Sequence, residues 1–319
     1  MPVMIISTFR NYNIYNIGLL VLIALLLRTA VVLDPPDAPG GYFPMGFLSD
    51  PRINVSLSAL VIVVQALLLN RSITRHNLFS KTSYLPALMY VVLASMFNPF
   101  LTLTPVLICN FFVLWIIDRI FFLYRGANVL RITYDMGLAI GAGSLFYYPF
   151  LLIFPGIWVS LIIFRPFAWR EWVSPVIGLI TPYIFALTWF MYTDNLTSFF
   201  DIWQPFIVDF PTLSTISPVD YIALVPLLIL LALSAHKMWV MYFKNVVLIR
   251  KSQVSLGLLT AFIVVSYFLS PEKHLYHFAM LAVPFAVFLA YYFITARVKW
   301  FYETLFALLL GSIFYFQFV

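Results

Sequence analysis

Long apolar segments follow one another along almost the whole chain, and this pattern constrains the fold more than any other feature. Short polar stretches separate eleven of them, at about residues 15–33, 54–70, 83–97, 103–122, 134–148, 150–164, 174–192, 219–236, 254–270, 276–295 and 300–318. Only 9% of the 319 residues are charged, whereas soluble domains carry roughly 25%. So few charges could not cover a soluble globule of this length. The pattern therefore predicts an all-α polytopic membrane protein with about eleven transmembrane helices.

Basic residues fall mainly on one side of these predicted spans. If the N-terminus is cytoplasmic, fifteen of the eighteen Lys and Arg lie on the inner side, and only Arg28, Arg52 and Lys273 lie on the outer side. This distribution follows the positive-inside rule and predicts a cytoplasmic N-terminus and an outer C-terminus. It also accounts for the net charge of +6 without a nucleic-acid partner.

The chain is predicted to be a single transmembrane domain over residues 1–319, with two outer loops long enough to hold a site. The first loop covers residues 34–53. The second covers residues 193–218, where apolar side chains recur at helical spacing and predict an amphipathic helix on the outer leaflet. A break at 147–149 separates two short apolar segments, which form either two full spans or a re-entrant hairpin. No small-residue cleavage site follows the apolar stretch at 17–33, so this stretch is predicted to be the first transmembrane helix.

Motifs that are missing from the sequence narrow the function. The chain contains no Walker-type phosphate loop, no glycine-rich dinucleotide fingerprint and no HExxH zinc motif, so active transport by a built-in ATPase is excluded. The single cysteine, Cys109, excludes a disulfide framework and a cysteine-based metal site. Most predicted spans have ionisable residues only at their ends, which disfavours ion-coupled transport.

The first outer loop and its flanks contain the leading candidates for chemistry. Asp34 and Asp37 lie in the stretch DPPDAPGGY. A carboxylate there can act as a general base or bind a cation, although Asp before Pro is also an ordinary turn element. Arg28 ends the first span, and its planar guanidinium suits two oxygens of a lipid phosphate; the alternative is snorkelling to the headgroups. Arg52 lies near the end of this loop, and Asp50 could pair with it or cap the second span.

A short outer segment near residue 275 holds the densest group of polar side chains, namely Lys273, His274, Tyr276 and His277. Two interpretations stay open for this group. Lys273 and His277 bind a phosphate, or the whole group anchors the chain at the membrane interface. One pair of histidines three residues apart is too little to predict a metal site, and none is predicted.

The start of the chain resembles the C-type (GT-C) superfamily of integral membrane glycosyltransferases. The opening helix ends in LLLR, and an outer loop with Asp follows it. In that superfamily the first outer loop carries a catalytic Asp, often with an aromatic residue soon after it. Asp37 with Tyr42 matches this position best, and Asp34 is the second match.

A late stretch adds to the resemblance. HFAMLAVPFAVFLA at 277–290 is similar to the late-helix pattern RYLLPLLPFLALLA of many such enzymes, with Pro284 at the second proline. His277 and Phe278 depart from the pattern, since Arg and Tyr are usual there. The middle of the chain, 128–172, also resembles a family of bacterial inner-membrane proteins of similar length, and that likeness implies no activity.

The glycosyltransferase resemblance implies a GT-C-like helix bundle in the bacterial inner (plasma) membrane and inverting sugar transfer on its outer face. The donor would be a polyprenyl-phosphate-linked sugar, the partners would be membrane lipids and this donor, and a need for a divalent metal stays open. Asp37 or Asp34 would be the catalytic base. The residues implied to bind the substrate or its phosphate are Arg28, Tyr42, Arg52, Lys273, His274, Tyr276 and His277.

Two other function classes remain open from the sequence. The chain could be a non-enzymatic accessory subunit of a membrane secretion or envelope-assembly complex, with a membrane protein as partner. It could also be a lipid flippase or transporter with a polar groove. The glycosyltransferase hypothesis is the one that makes the first outer loop catalytic, so substitutions of its acidic residues separate it from both alternatives.

Overall fold

The computed structural model of the chain describes residues 4–29, 31, 51–79, 81–124, 126, 128–201, 220–270 and 274–318. These residues form helices joined by turns, without a strand among them, which confirms the predicted all-α class. The chain divides into two compact units. Unit 1 comprises Met1–Leu107, Thr215–Asn245 and Ala282–Val319, and unit 2 comprises Ile108–Ser214 and Val246–Leu281.

The described α-helices are numbered in chain order. They are α1 (Ile5–Phe9), α2 (Tyr15–Leu26), α3 (Pro51–Arg75), α4 (Leu85–Leu93), α5 (Pro105–Phe122), α6 (Val129–Phe146), α7 (Pro155–Phe164), α8 (Trp169–Tyr192), α9 (Leu196–Asp201), α10 (Asp220–Met241), α11 (Val247–Leu269), α12 (Ala282–Thr295) and α13 (Lys299–Phe318). Short 3-10 segments lie at Asn98–Phe100, Tyr148–Ile153, Tyr242–Lys244 and Leu275–Leu281.

Six helical stretches of the described residues are long and apolar enough to cross a membrane. They are Arg52–Arg75, Pro105–Phe122, Trp169–Tyr192, Leu224–Lys244, Val247–Leu269 and Leu275–Thr295. Tyr15–Leu26 and Tyr148–Phe164 are shorter apolar helical stretches. A helix of roughly 20 apolar residues matches the hydrocarbon thickness of a bilayer. The chain is therefore a helical membrane protein, while the number of eleven spans and the side of the N-terminus stay predictions.

Unit 1 is built around α4. Each of its nine residues is buried, as expected for a helix that is apolar on every side. It packs against α3 and α12. Helix α10 packs against α12 and α13, and the Ser234 hydroxyl of α10 donates to the Phe288 carbonyl of α12 at 2.6 Å. The core of unit 1 therefore combines elements that are distant in sequence.

Unit 2 is dominated by the close packing of α6 against α8. A Cβ atom placed on Gly137 of α6 would lie 2.0 Å from the Pro175 carbonyl oxygen, and one on Gly178 of α8 would lie 2.2 Å from the Tyr134 carbonyl oxygen. Small residues allow this backbone approach, as in membrane helix pairs with small residues four apart. The hydroxyls of Ser144 and Tyr183, 2.7 Å apart, form a hydrogen bond between the same two helices.

The predicted boundaries agree with these helices in part. The predicted break at 147–149 is confirmed, since α6 ends at Phe146 and a 3-10 segment starts at Tyr148. Helix α3 begins at Pro51, so the last three residues of the predicted loop 34–53 are helical and the others lie outside the described residues. Of the second predicted loop, 193–218, the described part contains the short helix α9.

Candidate functional site

A buried arginine in unit 1 is the centre of the candidate site. Arg28 lies in the turn after α2, and its side chain is only 1% exposed. Its Nη1 donates to the Ala24 carbonyl at 3.2 Å and to the Ser95 hydroxyl at 3.0 Å, and its Nε donates to the Ser58 hydroxyl at 3.4 Å. The Nη2 nitrogen, also buried, has no hydrogen-bond partner among the described residues. The guanidinium is therefore held on one edge and unsatisfied on the other.

The contacts of Arg28 are all to neutral groups. A guanidinium keeps its charge at neutral pH, and no carboxylate of the described residues lies within ion-pair distance of it. A buried charge without an opposite charge costs several kcal/mol. Nη2 is therefore the part of the guanidinium at which an added anionic group would gain most.

The polar groups around Arg28 come from elements far apart in sequence. Ser58 lies on α3 and donates to the Val55 carbonyl at 2.8 Å and to the Leu101 carbonyl. Gln317, near the end of α13, donates through Nε2 to the Ser95 carbonyl at 3.2 Å. The buried Oε1 atom of Gln317 has no partner among the described residues. The site thus offers an unused donor on Arg28 and an unused acceptor on Gln317.

Buried apolar residues adjoin this polar group, since two of them, Val55 and Leu101, accept hydrogen bonds from Ser58 through their carbonyls. Val31, Val55 and Leu101 form a buried cluster within unit 1. Low local polarity strengthens any interaction with the guanidinium. The predicted first outer loop, with Asp34 and Asp37, begins three residues after Val31 and lies outside the described residues up to residue 50.

A second polar layer in unit 1 is fully paired. The Tyr90 hydroxyl donates to Gln65 Oε1 at 2.7 Å, and Gln65 Nε2 donates to the Leu107 carbonyl at 2.7 Å. In addition, the Leu103 amide donates to Asn54 Oδ1 at 2.7 Å. These bonds tie α3 to α4, to the first turn of α5 and to the segment before it. They hold in place the helix that carries Ser58 and the turn after α4 that contains Ser95.

His277, predicted to bind phosphate, lies in the core of unit 2 and is 0% exposed. The Tyr147 hydroxyl is 2.9 Å from Nδ1, whereas Nε2 is 3.0 Å from the Ile263 carbonyl and 3.1 Å from the Ser266 hydroxyl. Because a carbonyl only accepts, Nε2 carries the ring hydrogen and Nδ1 accepts from Tyr147. Both ring nitrogens are thus used within the chain. A direct phosphate contact would require one of these bonds to break, and the predicted contact stays a prediction.

The other predicted site residues are distributed as follows. The His274 ring stacks on the Tyr276 ring with centroids 4.7 Å apart, and both residues belong to unit 2. Arg52 is exposed in the first turn of α3, in unit 1. Asp34, Asp37, Tyr42 and Lys273 lie outside the described residues, so their predicted roles stay predictions.

The sequence interpretation missed the residues that complete the Arg28 site. Ser58, Ser95 and Gln317 are small or neutral polar residues within apolar segments, and nothing local marks them as neighbours of an arginine. The sequence feature that could have identified them is a polar side chain inside a segment of membrane-spanning length, because such a side chain needs a hydrogen-bond partner there.

Comparisons of the chain with protein-family models, with curated proteins and with solved structures find no match in any of the three.

Proposed function

We propose that this membrane protein binds the phosphate of a lipid-linked substrate at Arg28 and transfers the sugar that the phosphate carries. The observation that most supports this proposal is the buried guanidinium of Arg28. It has no acidic partner among the described residues, and its Nη2 donor is unused there. A planar guanidinium pairs well with two phosphate oxygens. A buried cation without an opposite charge among the described residues favours an anionic ligand over a neutral one.

The proposed reaction is an inverting glycosyl transfer from a polyprenyl-phosphate-linked sugar. The carboxylate of Asp37, or of Asp34, takes the proton from the acceptor hydroxyl. The acceptor oxygen then forms a bond to the anomeric carbon, while the bond from that carbon to the phosphate oxygen breaks. The lipid phosphate leaves with the electron pair. Arg28 stabilises this oxygen because negative charge grows on it in the transition state.

Position along the chain supports this division of roles. Asp34 and Asp37 follow Arg28 by six and nine residues. The proposed base and the arginine that binds the phosphate are therefore close together in the chain. Arg52 and Tyr42 are further substrate-binding candidates on the same stretch of chain, and the phosphate-binding roles predicted for Lys273, His274, Tyr276 and His277 stay separate predictions. The finer topology belongs to the same proposal: a GT-C-like bundle of about eleven spans in the bacterial inner membrane, with a cytoplasmic N-terminus.

Complementation with single substitutions tests the proposal. Cells that lack the chromosomal copy would express Asp37→Asn, Asp34→Asn or Arg28→Gln at matched membrane levels, and their envelope glycans and glycoproteins would be profiled. Asp50→Asn serves as the matched control, since it removes a carboxylate at the end of the same predicted loop. We expect Arg28→Gln to lower the amount of one glycan product by about a hundredfold or more, and we expect the same of either Asp34→Asn or Asp37→Asn.

Two results overturn the proposal. A deletion strain with an unchanged glycan profile would show that no sugar is transferred. Full activity of both Asp34→Asn and Asp37→Asn would show that neither carboxylate is the base. Either result favours the accessory-subunit or flippase alternative. Co-purification of a membrane partner and a lipid-translocation assay would then separate these two.

A further inference from the structure

Unit 1 contains a basic cavity that the proposed transferase function does not use. Its volume is about 440 Å³, and its lining includes Ser7, Arg10, Lys81, Ser83, Lys299 and Tyr302. This volume is within the usual range of ligand pockets. Arg10 precedes α2 and Arg28 follows it, so a helix about 18 Å long separates the cavity from the candidate site. The two sites are therefore distinct.

The charge of the cavity is strongly positive. Arg10, Lys81 and Lys299 line it, and none of its lining residues is acidic. The carboxylate of Glu303 is bonded to one lining residue, Ser7. It accepts from the Ser7 amide at 2.9 Å and from the Ser7 hydroxyl at 3.1 Å. Its charge is thus bonded to α1, and the cavity stays positive even when Glu303 is counted.

Arg10 is held rigidly at the cavity by the C-terminal end of α12. Its Nε donates to the Phe293 carbonyl at 3.0 Å, and its Nη2 donates to the Ala296 carbonyl at 2.6 Å. Its guanidinium carbon lies 4.4 Å from the centre of the Tyr302 ring. Nη1 makes no hydrogen bond to the part of the chain that the structure describes, so a preorganised cationic donor remains for a ligand.

A buried hydroxyl in the same cavity is also without a partner. Ser83 is 3% exposed, and its Oγ atom makes no hydrogen bond to the described residues. Buried hydroxyls are nearly always hydrogen-bonded in native proteins, so an unpaired one in a cavity wall indicates that a ligand group completes it. A phosphate oxygen accepts from a serine hydroxyl and from cationic nitrogens alike.

We propose that this cavity binds a phosphate-bearing anion, with the headgroup of an anionic lipid as its source. Lys299 begins α13, and a helix N-terminus adds favourable potential for an anion. Its neighbours Val298 and Trp300 are exposed, as expected for side chains at the level of lipid headgroups. The cavity lies on the predicted cytoplasmic side, where basic pockets between helices bind anionic headgroups. A soluble phosphate compound shares the chemistry and is distinguished by the test.

The test uses the full chain in two arms. In the first, the protein is reconstituted in nanodiscs of equal parts phosphatidylglycerol and phosphatidylcholine, and the lipids it retains are counted by native mass spectrometry. In the second, inorganic phosphate is titrated onto the protein in neutral detergent. The variants are Lys81→Ala/Lys299→Ala and Ser83→Ala. Lys244→Ala is the matched control, because it is an exposed lysine of unit 1 outside the cavity lining.

We expect the double lysine variant to bind phosphatidylglycerol about thirtyfold more weakly and Ser83→Ala about fivefold more weakly, with no change in Lys244→Ala. Saturable binding of inorganic phosphate, lost in the same variants, would support the anion site and assign a soluble source. Equal lipid retention by all proteins without phosphate binding overturns the proposal. A loss in Lys244→Ala as large as in the double variant also overturns it, since total charge and not the cavity would then bind the lipid.

Discussion

The two units differ in how completely a buried basic side chain is hydrogen-bonded. His277 in unit 2 has both ring nitrogens hydrogen-bonded, to Tyr147 on one side and to Ile263 and Ser266 on the other. Arg28 in unit 1 has only neutral partners and an unused nitrogen among the described residues. A buried polar group whose hydrogen bonds are complete stabilises the fold. A buried charge without a partner lowers the stability of the fold, and binding of an opposite charge offsets this cost.

The same contrast extends to the packing of each unit. Unit 2 has backbone contacts at Gly137 and Gly178 that leave no space for a side chain. Unit 1 has a cavity with a buried, unpartnered Ser83 hydroxyl. We therefore expect unit 2 to respond to substitution mainly through stability and unit 1 mainly through binding. Four predictions test this difference.

Gly137→Ala is expected to have the largest effect on stability. The new Cβ would lie 2.0 Å from the Pro175 carbonyl oxygen, and backbone cannot move aside as a flexible side chain can. We expect the free energy of unfolding to fall by about 3 kcal/mol, measured by unfolding in mixed micelles with increasing SDS. Gly257→Ala is the control, since its new Cβ would have nothing within 4 Å apart from its chain neighbours and the backbone of its own helix. Equal stability of the two variants would contradict the close packing of α6 on α8.

Tyr147→Phe is expected to have the next largest effect. It removes the hydroxyl that donates to His277 Nδ1 and leaves a buried acceptor unpaired, so unfolding should become easier by about 1–2 kcal/mol. Tyr267→Phe is the matched control. Its ring centroid lies 5.6 Å from that of His277, the same distance as the Tyr147 ring, but its hydroxyl makes no hydrogen bond to the described residues. If Tyr147→Phe is no less stable than Tyr267→Phe, the hydrogen bond adds no net stability, and the ring packing that both variants keep holds His277.

Arg28→Met is expected to change stability little, although it removes a buried polar side chain. Replacing a buried charge by an apolar side chain of similar length is often neutral or stabilising, so the free energy of unfolding should stay within about 1 kcal/mol of the wild type. The glycan product measured in the complementation test should nevertheless disappear. A loss of several kcal/mol would show instead that a carboxylate of the chain pairs with Arg28, and double variants with Asp34→Asn and Asp37→Asn would identify it.

Asp135→Asn is expected to have the smallest effect. Asp135 Oδ2 lies 3.4 Å from Arg119 Nε, but the two side chains are 18% and 31% exposed, and partly solvated ion pairs contribute roughly 0.5 kcal/mol. The difference from the wild type should vanish in 1 M NaCl because salt screens such pairs. A loss as large as that of Tyr147→Phe, unchanged by salt, would mean that the fold of unit 2 depends on this charge pair.

The sequence predicted the helical class and one internal boundary correctly. Long apolar segments require helices in a bilayer, since backbone groups must be hydrogen-bonded within the segment. The 147–149 break was also readable, because Pro149 removes an amide donor and restricts Tyr148. Both predictions rest on properties of neighbouring residues, and both are confirmed.

The end of the first helix could not be predicted in this way. The stretch LLLR contains no Pro or Gly, yet α2 ends at Leu26, inside the predicted span 15–33. The Gly137-x-x-x-Gly141 spacing was visible in the sequence, but its partner helix was not. Helix ends without local breakers and helix pairing both depend on contacts with other segments.

Hydropathy and charge by themselves determined that this chain is a helical membrane protein, because span length and segment polarity are local properties. Only the tertiary structure decided which buried polar groups are satisfied. Arg28 meets a serine hydroxyl 67 residues away and still lacks a charged partner among the described residues. His277 meets a tyrosine hydroxyl 130 residues away and is complete. A hydrogen bond requires its two atoms to lie about 3 Å apart, and for groups so distant in sequence only the packing of the helices brings them together.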